Sequence, residues 1–131
     1  MADETTRPRP TIRWASVCID CADAEQMAEF YGKLLGWDVT ARDGHGWVGM
    51  RDPEGGRSLL FQAEAEYRPP TWPERPDRQD KMLHLEIQVD DLDAAVAYAV
   101  DAGARLSEHQ PQESVRVMLD PAGHPFCLFL D

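Results

Sequence analysis

Residues 120–131 read DPAGHPFCLFLD, and residues 52–63 read DPEGGRSLLFQA. Both stretches open on Asp-Pro-x-Gly and run into an apolar segment, and 120 − 52 is 68. Sliding the chain along itself by 68 also pairs Ile19 with Ile87, Asp23 with Asp91, Met50 with Met118 and Leu60-Phe61 with Leu128-Phe129. Gly36 meets Gly103 at a shift of 67, a slip of a single residue. One register held from end to end marks an internal repeat, and a repeat decides the fold before any single residue does.

Each copy has the same local pattern. IRWASVCID and KMLHLEIQV alternate as half-buried strands. DAEQMAEFYGKLLG predicts a helix with Asp23 as N-cap, Gln26 three residues on and Gly36 as its stop. Its Met27, Phe30, Tyr31, Leu34 and Leu35 fall on one helical face. DLDAAVAYAVDAGA predicts the second helix, opened by Asp90 or Asp91 and closed by Gly103. Strands follow near 37–41 and 104–107, then at 46–51 and 114–119. The Asp-Pro-x-Gly turns place Pro and Gly as a type I turn prefers, and SLLFQ and FCLFL supply fourth strands. The expectation is an α+β fold of two tandem β-α-β-β-β modules.

Between the copies lies AEAEYRPPTWPERPDRQD, residues 63–80, with prolines at 69, 70, 73 and 76. Proline fixes φ and removes a donor, so this segment reads as an irregular, stiffened linker and not an element. Its length marks it as a spacer or a lid. The expected organisation is an unstructured tail over 1–10 and one domain over 11–131. That domain divides into module 1 at 11–62, the linker at 63–80 and module 2 at 81–131.

A chain of 131 residues is long enough to bury a core of its own. Lys and Arg number 13 against 24 Asp and Glu, a net charge of −11, which argues against a nucleic-acid partner and against docking on an anionic membrane. No nucleic-acid or membrane partner is therefore expected. MADETTRPRP holds no apolar run and no stretch has the length of a membrane span, so the expected location is the cytoplasm. Cys18, Cys21 and Cys127 show no disulfide framework, which agrees with a reducing compartment. Cys18 and Cys21 form a C-x-x-C, but in a strand residues i and i+3 point to opposite faces, which argues against a redox pair or a zinc knuckle.

Paired β-α-β-β-β modules with this turn motif resemble the vicinal oxygen chelate superfamily, which includes glyoxalase I, bleomycin-resistance proteins, fosfomycin-resistance enzymes and extradiol dioxygenases. The likeness is carried by FYGKLLGW at 30–37, HLEIQVDDLDAAV at 84–96 and DPAGHPFCLFL at 120–130, the last two being most similar to glyoxalase-like domains. The resemblance implies a U-shaped mixed sheet around a cavity, helices on the outer face, and a homodimer. In enzymatic members it implies a divalent metal held by up to four side chains from the first and fourth strands of each module. Carried over to this chain, those positions are Ser16, His84, Leu59 and Cys127.

Leucine cannot ligate and neutral serine ligates poorly, so no metal and no cofactor is expected; Glu86, two residues from His84 on one strand face, is the one nearby residue able to add a third donor. A Cys127 nucleophile with His84 as base is a competing reading, but a strand interior commits its amides to the ladder and leaves no oxyanion donors. If the carried-over positions face the cavity, strand parity adds Trp14, Ser16, Cys18 and Asp20, then Met82, His84, Glu86 and Gln88. The fourth strands add Leu59, Phe61, Cys127 and Phe129. Trp47 joins from a third strand, and Tyr67 and Trp72 close the mouth from the linker. His124 falls at the rim, while His45 and His109 read as exposed loop residues. No catalytic residue is assigned. Such a wall suits an aromatic or hydrophobic natural product, drug or metabolite, held without chemistry as in resistance by sequestration. The alternative is a lyase, isomerase or dioxygenase, metal-dependent or metal-free, using His84, Glu86 and Cys127.

Overall fold

The computed structural model describes residues 7–130. The expected unstructured tail falls in part on residues 1–6, outside the described residues; residues 7–10 are exposed and carry no regular structure. The elements run β1 (Val17–Cys21), α1 (Ala24–Leu35), β2 (Asp38–Arg42), β3 (Trp47–Arg51), β4 (Ser58–Ala63), β5 (Pro70–Thr71), β6 (Gln79–Asp80), β7 (Leu85–Val89), α2 (Leu92–Ala102), β8 (Arg105–Leu106), β9 (Val115–Leu119) and β10 (Pro125–Leu130). Two four-stranded sheets, β1-β4-β3-β2 and β7-β10-β9-β8, repeat one topology in which the first strand runs parallel to the fourth and the rest are antiparallel.

The helix signals act as written. Asp23 accepts from the Gln26 amide at 3.1 Å and Asp91 from the Ala94 amide at 3.0 Å, each satisfying an orphan N–H of the first turn. Gly36 and Gly103 end the two helices. Met27, Phe30 and Tyr31 are buried, while Leu34 and Leu35 pack half-buried against the same core.

The first strands are shorter than their alternation predicts. Both begin late, at Val17 and Leu85, because their parallel partners give out: Val17 pairs with Leu59 and Leu85 with Phe126. An extended segment without a ladder partner is no strand, whatever its pattern. Trp14 is accordingly 81% exposed and not turned into a cavity wall, and Met82, at the cavity's open approach, is 86% exposed.

The repeat register also slips where the sequence held it constant. Met50 and Met118, 68 apart, pair across their hairpins with Leu59 and Phe126, which are 67 apart. The first turn carries one extra residue: the Asp52 amide bonds the Arg57 carbonyl, whereas the Asp120 amide bonds that of His124. Gly56 supplies the additional step at φ 86°, a region where a side chain is strained. Slipping a strand by one residue flips its faces. Leu59 and Phe61 therefore lie in the core on the helix side, with Phe61 stacked on Tyr31 at 5.7 Å. The structural partner of Cys127 in module 1 is Leu60, not Leu59.

The linker is not wholly irregular. Pro70–Thr71 pairs in parallel with Gln79–Asp80, a ladder short enough to tolerate a residue without an N–H. The segment is anchored on module 2: the Tyr67 hydroxyl donates to the Ala122 carbonyl at 2.8 Å. Pro69 packs on Gly123 so closely that a Cβ there would stand 2.9 Å from the proline's own.

The modules meet around α1. The Tyr31 hydroxyl donates to Asp120 Oδ2 at 2.7 Å, while Asp120 Oδ1 accepts from the amides of Ala122 and His124, both at 3.0 Å. Burial raises the Asp120 carboxyl above its ordinary 3.8, against the lowering effect of the Tyr31 bond, His124 and these amides. A folded-state value above the unfolded one means stability present in full at low pH and lost as pH rises through the folded value. Relative to Asp120→Asn, the native chain should therefore lose stability as pH climbs above 3.8, a slope the variant lacks in urea titrations. At neutral pH, Tyr31→Phe should cost about 1.5–3 kcal/mol in the same measurement, since the bond runs to a charged group.

Candidate functional site

A cavity of about 470 Å³ opens between the modules. β1 contributes Cys18 and Asp20 from its outer face, the linker contributes Glu64, Glu66, Tyr67, Arg68 and Pro70, and Met82 to Leu85 contribute the approach to β7. His124 and Pro125 close the far side. Strand alternation explains the first pair: Ile19 and Cys21 are buried toward α1, so Cys18 and Asp20 point away from it. The two cysteines of C-x-x-C thus lie on opposite faces, Cys18 exposed, Cys21 buried, both free.

Two side chains tie the cavity wall together. His124 Nε2 lies 2.6 Å from the Asp20 carbonyl, so that nitrogen carries the proton and donates across the module boundary. Its ring stands 5.7 Å from that of Tyr67. Burial, with the nearby Asp120, Cys21 and Asp20 charges, pushes the Tyr67 hydroxyl well above its ordinary value, so it stays a donor. Asp20, Glu64, Glu66 and Asp80 face a single cation, Arg68, on this lining, and the wall is acidic.

Beside the cavity, on the open face of the second sheet, His84, Glu86 and Cys127 converge with ligating atoms all within 4.8 Å of one another. The register dictates this: His84 and Glu86 are two residues apart, and Cys127 pairs directly with Glu86 across the β7–β10 ladder. His84 Nε2 meets Glu86 Oε2 at 2.6 Å. Trp72 covers His84, ring to ring at 4.9 Å, and is itself flanked by His109 at 5.3 Å and by Lys81 Nζ at 4.5 Å. His109 is thereby half-buried and not the free loop residue its surroundings in sequence suggest.

Of the twelve residues expected at the ligand, Cys18, Tyr67 and His84 line the cavity. Glu86 and Cys127 stand beside it, Phe129 shares their face through its pairing with Gln88, and Trp72 roofs His84. Trp47 pairs with Gln62 on the open face of the first sheet, away from the cavity lining. Ser16 lies just ahead of β1, its hydroxyl 3.4 Å from the Val17 carbonyl. Leu59, Phe61 and Trp14 are misplaced for the reasons given above. Sequence reasoning does not find Glu64 and Arg68, since an irregular linker offers no periodicity from which to infer facing.

The superfamily's divalent metal draws ligands from both modules, and this chain does not fit it. Module 1 presents Ser16 and Leu60 where donors are required, and neither ligates a metal well. Nor is Cys127 an activated nucleophile. Burial, then the Glu86 charge, push its thiol up to about 11, and its amide lies within a paired strand.

A family model described as Glyoxalase-like domain matches residues 16–129. Among curated proteins nothing matches. Solved structures share the fold. A glyoxalase/bleomycin resistance protein/dioxygenase family enzyme from Burkholderia phytofirmans PsJN is 20% identical with TM-score 0.65, over 88% of this chain and 96% of that one. A glyoxalase/bleomycin resistance protein from Albidiferax ferrireducens T118 is 17% identical with TM-score 0.62, over 90% and 98%. TnmS3, an antibiotic binding protein from Streptomyces sp. CB03234, is 21% identical with TM-score 0.57, over 93% and 98%.

Thiol reactivity checks the site's electrostatics. With iodoacetamide at about pH 8, Cys18 should be alkylated first, and Cys21 and Cys127 only on unfolding, as peptide mass spectrometry reads directly. Fast labelling of Cys127 in the folded chain would restore the nucleophile reading.

Proposed function

This chain belongs to the glyoxalase-like domain family of the vicinal oxygen chelate superfamily, and we propose that within it the chain is a small-molecule-binding protein. Its ligand is an aromatic or hydrophobic natural product, drug or metabolite, taken up in the inter-module cavity and sequestered there without chemistry. The observation that carries this reading is the cavity itself: about 470 Å³, within the range of small-molecule sites, with Tyr67, His84 and His124 among apolar Met82, Leu83 and Pro125. Aromatic and imidazole faces suit a planar ligand. The acidic wall selects against anions. TnmS3, described as an antibiotic binding protein, shares this fold, which supports a reading of resistance by sequestration.

The proline-rich linker forms one rim of the cavity. Its prolines limit the freedom lost when that rim closes on a ligand, which favours affinity. His84, oriented by Glu86, supplies a directional hydrogen bond to a polar group of the ligand. The reading places the protein in the cytoplasm, where a reducing compartment agrees with its free cysteines Cys18, Cys21 and Cys127.

A homodimer completes the proposal. Ile12, Trp14, Met82 and Leu83 are large and exposed, and Trp14 and Met82 hold equivalent places ahead of β1 and β7. A second copy covering these edges removes apolar surface from water. Sedimentation at tens of micromolar should give the dimer, and Trp14→Glu should return the monomer; a native chain that stays monomeric removes this part.

Tryptophan fluorescence offers the binding test, because Trp72 touches His84 at the cavity wall. A panel of planar aromatic metabolites and antibiotics should contain saturable quenchers. His84→Ala should weaken them by about 1–3 kcal/mol, the worth of a bond to a buried polar group. A panel without a saturable quencher sinks the reading.

A further inference from the structure

The two helices do not cover their sheets equally. Helix α1 buries Ala24, Met27, Ala28, Phe30 and Tyr31, whereas the alanine-rich α2 buries Ala99 alone. Short side chains leave unfilled the space between a helix and the sheet beneath it. An open groove of about 590 Å³ results between the end of α1 and the start of α2. Its floor is apolar, made by Leu34, Leu35, Ile87, Val89 and Leu128, of which all but Leu128 are only half-buried. Asp90 and Asp91 stand at its rim, and among the described residues no Lys or Arg lines it. Asp93 follows in the first turn of α2.

The segment ahead of β1 has the complementary make-up. Residues 7–14, RPRPTIRW, are exposed and carry no regular structure. In an extended chain alternate residues share a face. Pro8, Pro10, Ile12 and Trp14 then form an apolar stripe, and Arg7, Arg9 and Arg13 fall on the opposite, basic one. The two prolines hold the backbone extended and reduce the freedom it loses on docking. Eight extended residues reach about 27 Å, enough to cross from one molecule to another. Ile12 is 61% exposed and Trp14 81%, so the arm does not fill its own chain's groove.

We propose that residues 7–14 of one copy dock in the groove between α1 and α2 of a second copy. Ile12 and Trp14 lie on its apolar floor, and Arg9 and Arg13 face Asp90 and Asp91. Two-fold symmetry makes the contact twice. Burial of the indole and the branched side chain supplies the attraction, and the opposed charges fix the register. This arm exchange rests on the homodimer proposed above and names what covers Ile12 and Trp14.

Sedimentation of the full-length chain tests the exchange by charge reversal, with circular dichroism to confirm that each variant is folded. Asp90 is exposed and, unlike Asp91, caps no helix. Arg13→Asp and Asp90→Arg should each weaken the dimer on the order of tenfold, because both contacts then oppose like charges. An equimolar mixture of the two variants should restore it, since every heterodimer holds one native pair and one reversed pair. Ala94→Trp, which fills the groove from an exposed position, should weaken the dimer with the charges intact. A native chain that sediments as a monomer overturns the exchange together with the dimer. A dimer indifferent to Asp90→Arg and Ala94→Trp overturns the exchange alone. So does a mixture no tighter than the separate variants.

Discussion

The hydrogen bond from Tyr31 to Asp120 holds the two halves of this protein in one arrangement. Tyr31 belongs to the helix of the first module and Asp120 to the turn of the second, 89 residues away. The aromatic cluster forms around it: Tyr31 stacks on Phe61 of the first sheet and meets Phe126 of the second edge-on at 6.1 Å, with Phe30 against both Tyr31 and Phe126. An apolar cluster of this kind drives association without fixing orientation. A single buried carboxylate whose oxygens are all engaged admits only one docking geometry. The cavity wall inherits that geometry, because the turn that presents Asp120 also presents His124 to the Asp20 carbonyl and Ala122 to Tyr67.

Duplication gave two equivalent turns, and the two have diverged in use. Asp52 closes its own turn, with Oδ1 accepting from the Glu54 amide. Asp120 does the same for Ala122 and additionally receives Tyr31. One extra glycine in the first turn moved the following strand by a residue, so that Leu60 and Gln62, in place of Leu59 and Phe61, share a face with Cys18 and Asp20. The asymmetry of the site follows. Module 2 keeps imidazole, carboxylate and thiol on its open face, while module 1 offers Cys18 and Asp20 to the cavity, and among the described residues neither joins that cluster.

What the sequence determined by itself is everything governed by local physics and by the repeat. Cap residues, helical periodicity and the turn motif gave both helices and the order of the strands, since each depends on neighbours a few residues away. The alternation around Cys18 and Cys21 put them on opposite faces, and the pairing of His84 with Glu86 on one face followed from a spacing of two. The depletion of metal ligands in module 1 was legible too, because neither a serine nor a leucine ligates well in either register.

Only the tertiary structure decided which faces meet. A repeat offset is blind to a one-residue insertion in a turn, and with period-two side chains that single residue exchanged the core and open faces of a strand. Where a strand stops is set by the partner beside it, so Trp14 alternates correctly and still lies free in solvent. The linker's contribution, Tyr67 and Arg68 at the cavity and Trp72 over His84, comes from docking on module 2, where Pro69 rests on Gly123. No pattern within the linker encodes that contact; it exists because the far turn leaves room for it.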